Sequence, residues 1–354
     1  MFRSKHLVLA AAVALIAVSS MASNLRAADQ VYVPAAGKLV TGSGTFVSDV
    51  WVQNLSSEPV TVSVIYTPTF AGSAQTPQYA NNLFTLAARQ RLELPDFVGS
   101  APPRGLGLSA FFGTLIFNAC RQGADCINGT DPNTGVNPNF RDIAVFSRIY
   151  SIPVGRTVTD NPAPPTNGQA FPGIPWYNYI SSKAANAEIG NLGRVSITGI
   201  RNTGTNQPGT YRAAIGLMNA SQFSETTLQV DLFRGDNPDV PVATRSITLA
   251  PLNHIQQNVS AMFPEFPAGA TATNAFVRVT QVASTPTGDA ATFGCADGCP
   301  GFLAYGSLLD NVTNDATTLE SIFDAPLSGL AIEVIYGGAS AGKPVLRRSV
   351  KRAQ

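Results

Sequence analysis

The side chains that could do chemistry are few and poorly matched to one another. The 354 residues hold two histidines, and His6 sits at the head of an apolar N-terminal run. That leaves His254, in Leu252-Asn253-His254-Ile255-Gln256-Gln257. A Ser-His-Asp site would have to use it, yet no Gly-x-Ser-x-Gly elbow accompanies it. Histidine-based zinc sites need more imidazoles than this. Its counterpart in the other half of the chain is Arg91, so a polar edge or sheet surface explains both. The carboxylates Asp49, Glu93, Asp96, Asp142, Asp231, Asp310 and Asp315 could supply the acid and base of a glycoside hydrolase. They fall at the ends of alternating segments, where acidic residues are ordinary solvent-facing or turn groups.

Asp310, Asn311, Asn314 and Asp315 gather four oxygen ligands beside a strand end, and calcium is the candidate ion there. The spacing is not that of an EF-hand, and Asx-turn hydrogen bonds explain the cluster without an ion. Phosphate-cradling glycine loops and a dinucleotide fingerprint are absent from the sequence, so no other cofactor is implied. The cysteines form two close pairs, Cys120 with Cys126 and Cys295 with Cys299. In an oxidising compartment each pair would staple a small surface loop, worth on the order of 2–3 kcal/mol. A four-thiolate metal site would need all four sulfurs to converge. The cluster Phe171-Pro172-Gly173-Ile174-Pro175-Trp176-Tyr177-Asn178-Tyr179 has two readings. It packs into a domain junction, or Trp176, Tyr177 and Tyr179 form an exposed platform for a glycan or a partner.

The N-terminus carries an address. Arg3 and Lys5 precede an apolar run from Leu7 to Val18, and small residues follow in Ser20-Met21-Ala22, which together spell a signal peptide over residues 1–22. A second cut after Ala27 is open. The apolar run is too short for a permanent bilayer span, and no later segment of the mature chain reads as one. Export therefore leads to the periplasm, the cell surface or the medium. Cleavage after Ala22 removes two of the 23 basic residues and none of the 22 acidic ones, so the mature chain is close to neutral and shows no electrostatic preference for nucleic acid.

The elements that must position these residues come in duplicate. Phe46 to Asn54 alternates apolar and polar residues and ends before Leu55-Ser56; Tyr211 to Asn219 does the same before Ala220-Ser221. Val60 to Tyr66 matches Thr227 to Phe233, and Phe84-Thr85-Leu86-Ala87 matches Ile247-Thr248-Leu249-Ala250. Ala110-Phe111-Phe112 is set against Ala275-Phe276-Val277, and Ala144 to Ser147 against Ala304 to Ser307. A near-constant offset over five ordered segments marks repeated modules. Period-2 segments separated by Gly, Pro and Asn turns predict an all-β chain of two tandem immunoglobulin-like antiparallel sandwiches. The expected layout is a first module over 31–155, a Pro/Gly/aromatic linker over 156–191, a second module over 192–337 and a frayed basic tail over 338–354. Ser260 to Phe263 and Thr317 to Phe323 could each form one helical turn. Ala110 to Phe112 and Leu115 to Phe117 break the alternation, which calls for cover on both faces or a bulge.

Val31 to Ala36, Asp49 to Asn54, Tyr211 to Ser221 and Ala304 to Asn311 resemble tandem β-sandwich regions of secreted, mostly uncharacterised bacterial proteins. The resemblance implies an exported β fold and carries no catalytic residues with it. The leading expectation is a secreted, non-catalytic binding pair that recognises an envelope component, a glycan or a protein. The alternatives are a structural subunit of an extracellular or envelope assembly, and a carboxylate-dependent hydrolase.

Overall fold

The computed structural model describes residues 27–41, 44–69, 76–124, 138–157, 160, 166–176, 193–203, 209–264, 272–288, 300–313, 315–323, 330–335 and 347–352. The expected signal peptide lies outside them. The first half forms β1 (Gln30–Thr41), β2 (Gly44–Asn54), β3 (Val60–Pro68), β4 (Gln78–Leu86), β5 (Arg91–Leu94), β6 (Phe111–Arg121), β7 (Ile143–Pro153), β8 (Asn167–Pro172) and β9 (Ile174–Pro175). The second forms β10 (Arg194–Asn202), β11 (Tyr211–Asn219), β12 (Ser224–Arg234), β13 (Ala243–Leu249), β14 (His254–Asn258), the single-turn helix α1 (Val259–Met262), β15 (Ala272–Pro286), β16 (Phe302–Asp310) and β17 (Ala316–Phe323). A hairpin of β18 (Leu330–Ile335) and β19 (Arg347–Arg352) follows. The basic tail expected to fray is thus strand-paired over Arg347–Arg352, and Thr317 to Phe323 is strand rather than helix.

The pairing repeats strand for strand. In the second module the order is β13-β12-β15-β10-β17-β16-β11-β14. In the first, β4-β3-β6-β1 leads through β9 to β8, then β7, β2 and β5. The residues read as linker therefore supply β8 and β9, which together occupy the place of β17. Pro172-Gly173 divides them because proline has no N–H to give the ladder. Each module folds its strands into two antiparallel layers, joined in the second where β17 pairs with both β10 and β16. The first closes further, since the last three residues of β1 also pair with β2. In the constant-type immunoglobulin arrangement the first strand lies beside the second. Here β1 lies beside β6 and, over its last three residues, β2, while β10 lies beside β15; the pairing supports two sandwich-like modules and no finer immunoglobulin assignment.

Alternation explains the interiors. Val50 and Val52 of β2 face Val60, Val62 and Val64 of β3 in one dry core, while Ile215 and Leu217 face Leu228, Val230 and Leu232 in the other. Burying such side chains is worth about 1.5–3 kcal/mol each, which sets the register, because a slip by one residue would turn every one of them to water. Registers also correct the sequence match. Phe146 lies opposite Trp51 as Tyr305 lies opposite Gly216, one residue from the expected alignment. Leu115 and Val277 face Val33 and Ile197, which displaces the Ala110-to-Phe112 match by three.

Two buried asparagines explain why Asn-x-Ser recurs. Asn54 donates through Nδ2 to the carbonyls of Glu58 and Ala87 at 2.7 and 2.9 Å and accepts the Ser56 N–H at 2.9 Å. Asn219 donates to Ser224, Leu249 and Ala250 at 2.7–3.0 Å and accepts the Ser221 N–H at 2.9 Å. Each amide ties the β2–β3 or β11–β12 turn to the loop after β4 or β13, satisfying carbonyls that neither ladder reaches.

The modules pack sheet against sheet. Tyr32, Ile65 and Ile116 point outward from β1, β3 and β6 and meet Met218, Ala220, Leu252 and Leu303 of the second module. Ala35 and Phe171 meet Tyr305. Ile116 and Phe112 are thus the residues that broke alternation in β6, and they did so because their side of the sheet is also covered. Tyr32 Oη donates to the Ala220 carbonyl at 3.2 Å, and Ser307 Oγ to Gln169 Oε1 at 2.8 Å.

Candidate functional site

Of the sites expected from sequence, Trp176 lies at the junction. Its Nε1 donates to Asp29 Oδ1 at 2.8 Å, and its ring packs against the first core and the inter-module cluster. Tyr177 and Tyr179 lie outside the described residues, as do Cys126, Cys295, Cys299 and Asn314. Cys120 is the next-to-last residue of β6 and is buried. Asp310 Oδ1 accepts the N–H groups of Val312 and Thr313, both at 2.8 Å, and these bonds hold its carboxyl below the ordinary range. Asn311 Oδ1 accepts from Arg212 at 3.1 Å, and Asp315 Oδ1 from the Ala316 N–H at 3.1 Å. Among the described residues no group of three or more His, Cys, Asp or Glu side chains gathers as for a metal ion.

The repeat itself points to a different place. In the second module the outer face of β11, β14 and β16 is where the first module docks. Its positions are Gly216, Met218, His254, Leu303 and Tyr305, all buried. In the first module the equivalent face of β2, β5 and β7 carries Trp51, Gln53, Arg91, Ala144 and Phe146 at those positions. Here Gln53 and Arg91 are exposed, Trp51 and Ala144 are half-buried, and Phe146 is 41% exposed. One copy of this face is filled from within the chain, and the other is open.

The open face is built in rungs, because side chains two apart on a strand share a side. Gln53 lies between Arg91 and Ala144, and Trp51 between Glu93 and Phe146; Asp49 lies opposite Arg148. The Trp51 and Phe146 ring centroids are 5.5 Å apart with their planes tilted by 54°. A depression of about 210 Å³ runs between these rings and Gln53, Arg91 and Ala144, floored by Val52 and Val145. The side chains of Gln53 and Arg91 take no hydrogen-bond or ionic partner among the described residues. Beyond the rings, Asp49 Oδ1 accepts the Tyr150 hydroxyl at 3.1 Å and the Asp96 N–H at 2.9 Å. Asp96 is in turn paired with Lys38 and accepts the Gly99 N–H at 3.2 Å. Partial burial raises the Asp49 carboxyl above its usual range despite those donors, and burial together with the Asp49 charge pushes the Tyr150 hydroxyl up. Two of the carboxylates expected for acid–base work thus share one network at the margin of this face, and they are tied there by a lysine and backbone donors.

Its covered twin is a dry plug. The His254 and Tyr305 rings stack in near-parallel planes, 2° apart, and His254 Nε2 lies 2.9 Å from Tyr305 Oη. Tyr305 Oη donates to Gln256 Oε1 at 2.8 Å. Gly216 makes room for this, since a Cβ there would sit 2.1 Å from the Tyr305 ring. Trp51 occupies the same position in the open copy, so the two faces cannot hold the same neighbour in the same way. A second groove, of about 280 Å³, runs between the modules beside Pro172, Ile174, Leu303 and Thr318.

No helix among the described residues is long and apolar enough to cross a membrane. No protein-family model matches the chain, and no curated protein does. Among solved structures it is similar to the partial N-terminal region of the enterococcal surface protein, at 9% identity and a TM-score of 0.19 over 83% of this chain and 88% of that one. It is also similar to a structure of broad bean stain virus, at 9% identity and a TM-score of 0.18, over 85% of this chain and 90% of that one. Overlaps this loose decide neither fold nor function, and the chain's two β-sandwich modules stand on their own pairing.

Proposed function

We propose that this is an exported, non-catalytic binding protein whose first module recognises a cell-surface glycan on the open face of β2, β5 and β7. The observation that carries the reading is the Trp51–Phe146 pair, flanked in its own rung by Glu93, with Gln53 and Arg91, unpartnered among the described residues, in the rung on one side and Asp49 in the rung on the other. A pyranose ring offers an apolar C–H face that an aromatic ring can cover, and hydroxyls that amide, guanidinium and carboxylate groups can bind. The face has aromatic area for the former in Trp51 and Phe146 and polar groups for the latter in Gln53, Arg91 and Glu93. Titration of the purified protein with soluble cell-wall polysaccharides by calorimetry tests it. Saturable binding lost in Trp51→Ala and Phe146→Ala supports the proposal; binding indifferent to both substitutions overturns it.

A protein partner is the second reading, and the equivalence with the docked face favours it. Trp and Arg are the residues that dominate protein interfaces. Binding to a partner with an apolar sheet face, and to no polysaccharide, would select this reading.

A further inference from the structure

We propose that His254 makes the module junction an acid-sensitive latch: protonation of its imidazole releases the two sandwiches from one another while each stays folded. This goes beyond the proposed binding site and does not depend on it.

Tyr305 Oη donates its hydrogen to Gln256 Oε1, so toward His254 Nε2, 2.9 Å away, it can only accept. His254 must then carry its own hydrogen on Nε2, which leaves Nδ1 as a bare acceptor. Nδ1 is buried and has no hydrogen-bond partner. The residue is 0% exposed. Around it stand Met218 of β11, opposite it in register, Tyr305 of β16, Gln256 of β14 and, from the first module, the Phe112 ring of β6 at 6.2 Å. Of these only Tyr305 titrates, and burial drives its hydroxyl pKa up, so no anion faces the imidazole. A second proton on Nδ1 would place an unpaired charge in an apolar seam. Separating the modules relieves that cost, because the ring lies on the outer face of its own sheet, with the first module as its cover. Among the described residues the buried side chains that form the two sandwich cores include no imidazole, carboxyl or amine, so the sheets have no matching reason to open in acid.

The sign follows from linkage. Burial lowers the His254 pKa from 6.5 to about 3 in the closed pair, and an imidazole in water regains its ordinary value. A depressed imidazole pKa favours the closed state at neutral pH, and this preference declines as pH falls below 6.5. The ratio of open to closed molecules should then rise up to tenfold per pH unit, on the order of a hundredfold between pH 6.5 and pH 4.

Small-angle scattering of the full chain between pH 7 and pH 4 reads the opening as growth of the radius of gyration, with circular dichroism confirming that the strands persist. Wild type should expand and His254→Phe should not; His254→Gln provides the same control where the phenylalanine does not fit. The other side chains at the junction are the same in wild type and in both variants, so their contribution cancels from the comparison. Histidine-selective nitrogen NMR of the wild type gives an independent reading, with the His254 ring staying neutral through pH 6.5 while free imidazole added as a reference becomes protonated. Expansion that is absent in wild type, expansion of equal size in both variants, or a His254 ring that titrates near 6.5 would each overturn the proposal.

Discussion

The outer face of β2, β5 and β7 and the outer face of β11, β14 and β16 are the same surface built twice, and they have opposite fates. Their strands, registers and buried asparagines correspond. What differs is the outward row: Trp51 against Gly216, Gln53 against Met218, Arg91 against His254, Ala144 against Leu303 and Phe146 against Tyr305. The covered row is apolar apart from one neutral imidazole and one satisfied phenol, as a permanent interface requires. The open row keeps its aromatic area but adds an amide and a cation that water can reach. A scaffold held by inward side chains is free to change its outward ones, so the copies share a fold without sharing a role.

The sharpest way to break this comparison is to exchange the row. Gly216→Trp places a ring where even a Cβ would meet Tyr305. We expect it to part the modules outright, read by scattering and by exposure of Tyr32 to solvent, with a cost at or above the 1–3 kcal/mol typical of overpacking. The frame should respond symmetrically. Asn54→Ala and Asn219→Ala each strand several buried groups and should each lower stability by about 3 kcal/mol in urea unfolding; a large inequality would mean that the clamps are not equivalent. Trp51→Ala, by contrast, should cost the fold only about 1 kcal/mol, the worth of an exposed aromatic pair, while removing glycan binding. The smallest effect belongs to Asp49. Because its carboxyl is raised in the fold, ionisation favours the unfolded chain, and the contribution it makes in acid is lost as pH rises through the carboxylate range. Asp49→Asn should therefore raise the urea midpoint slightly at pH 7 and make no difference in acid.

Much of the architecture was legible beforehand. Alternation in Val50-Trp51-Val52 and Val60-Thr61-Val62 forces sheets, and five matched segments in one order declared the duplication; the buried amides of Asn54 and Asn219 then clamp equivalent turns in both copies. The register was less secure. Ala144 to Ser147 and Ala304 to Ser307 align by residue type, yet cross-strand packing sets Phe146 against Tyr305, one position along. Residues 167–175 belong to a segment that reads as a Pro/Gly/aromatic linker, yet the chain builds β8 and β9 from them and sets Pro172-Gly173 at the break between the two.

The candidate face was missed for a physical reason. Trp51 and Phe146 look like any outward aromatics until one knows which faces are covered. Cover is decided by how two finished sandwiches dock, a relation between residues more than a hundred positions apart that no local pattern records. A signal did exist, in the tryptophan of one copy standing where the other has glycine, but its meaning needed the second module in place. Inward apolar periodicity determined the strands and their duplication, because burial of a sheet face is a property of every second residue. Only the packed molecule decided that His254 would be sealed while Arg91 stayed in water, because that choice depends on which outer sheet found another to lie against.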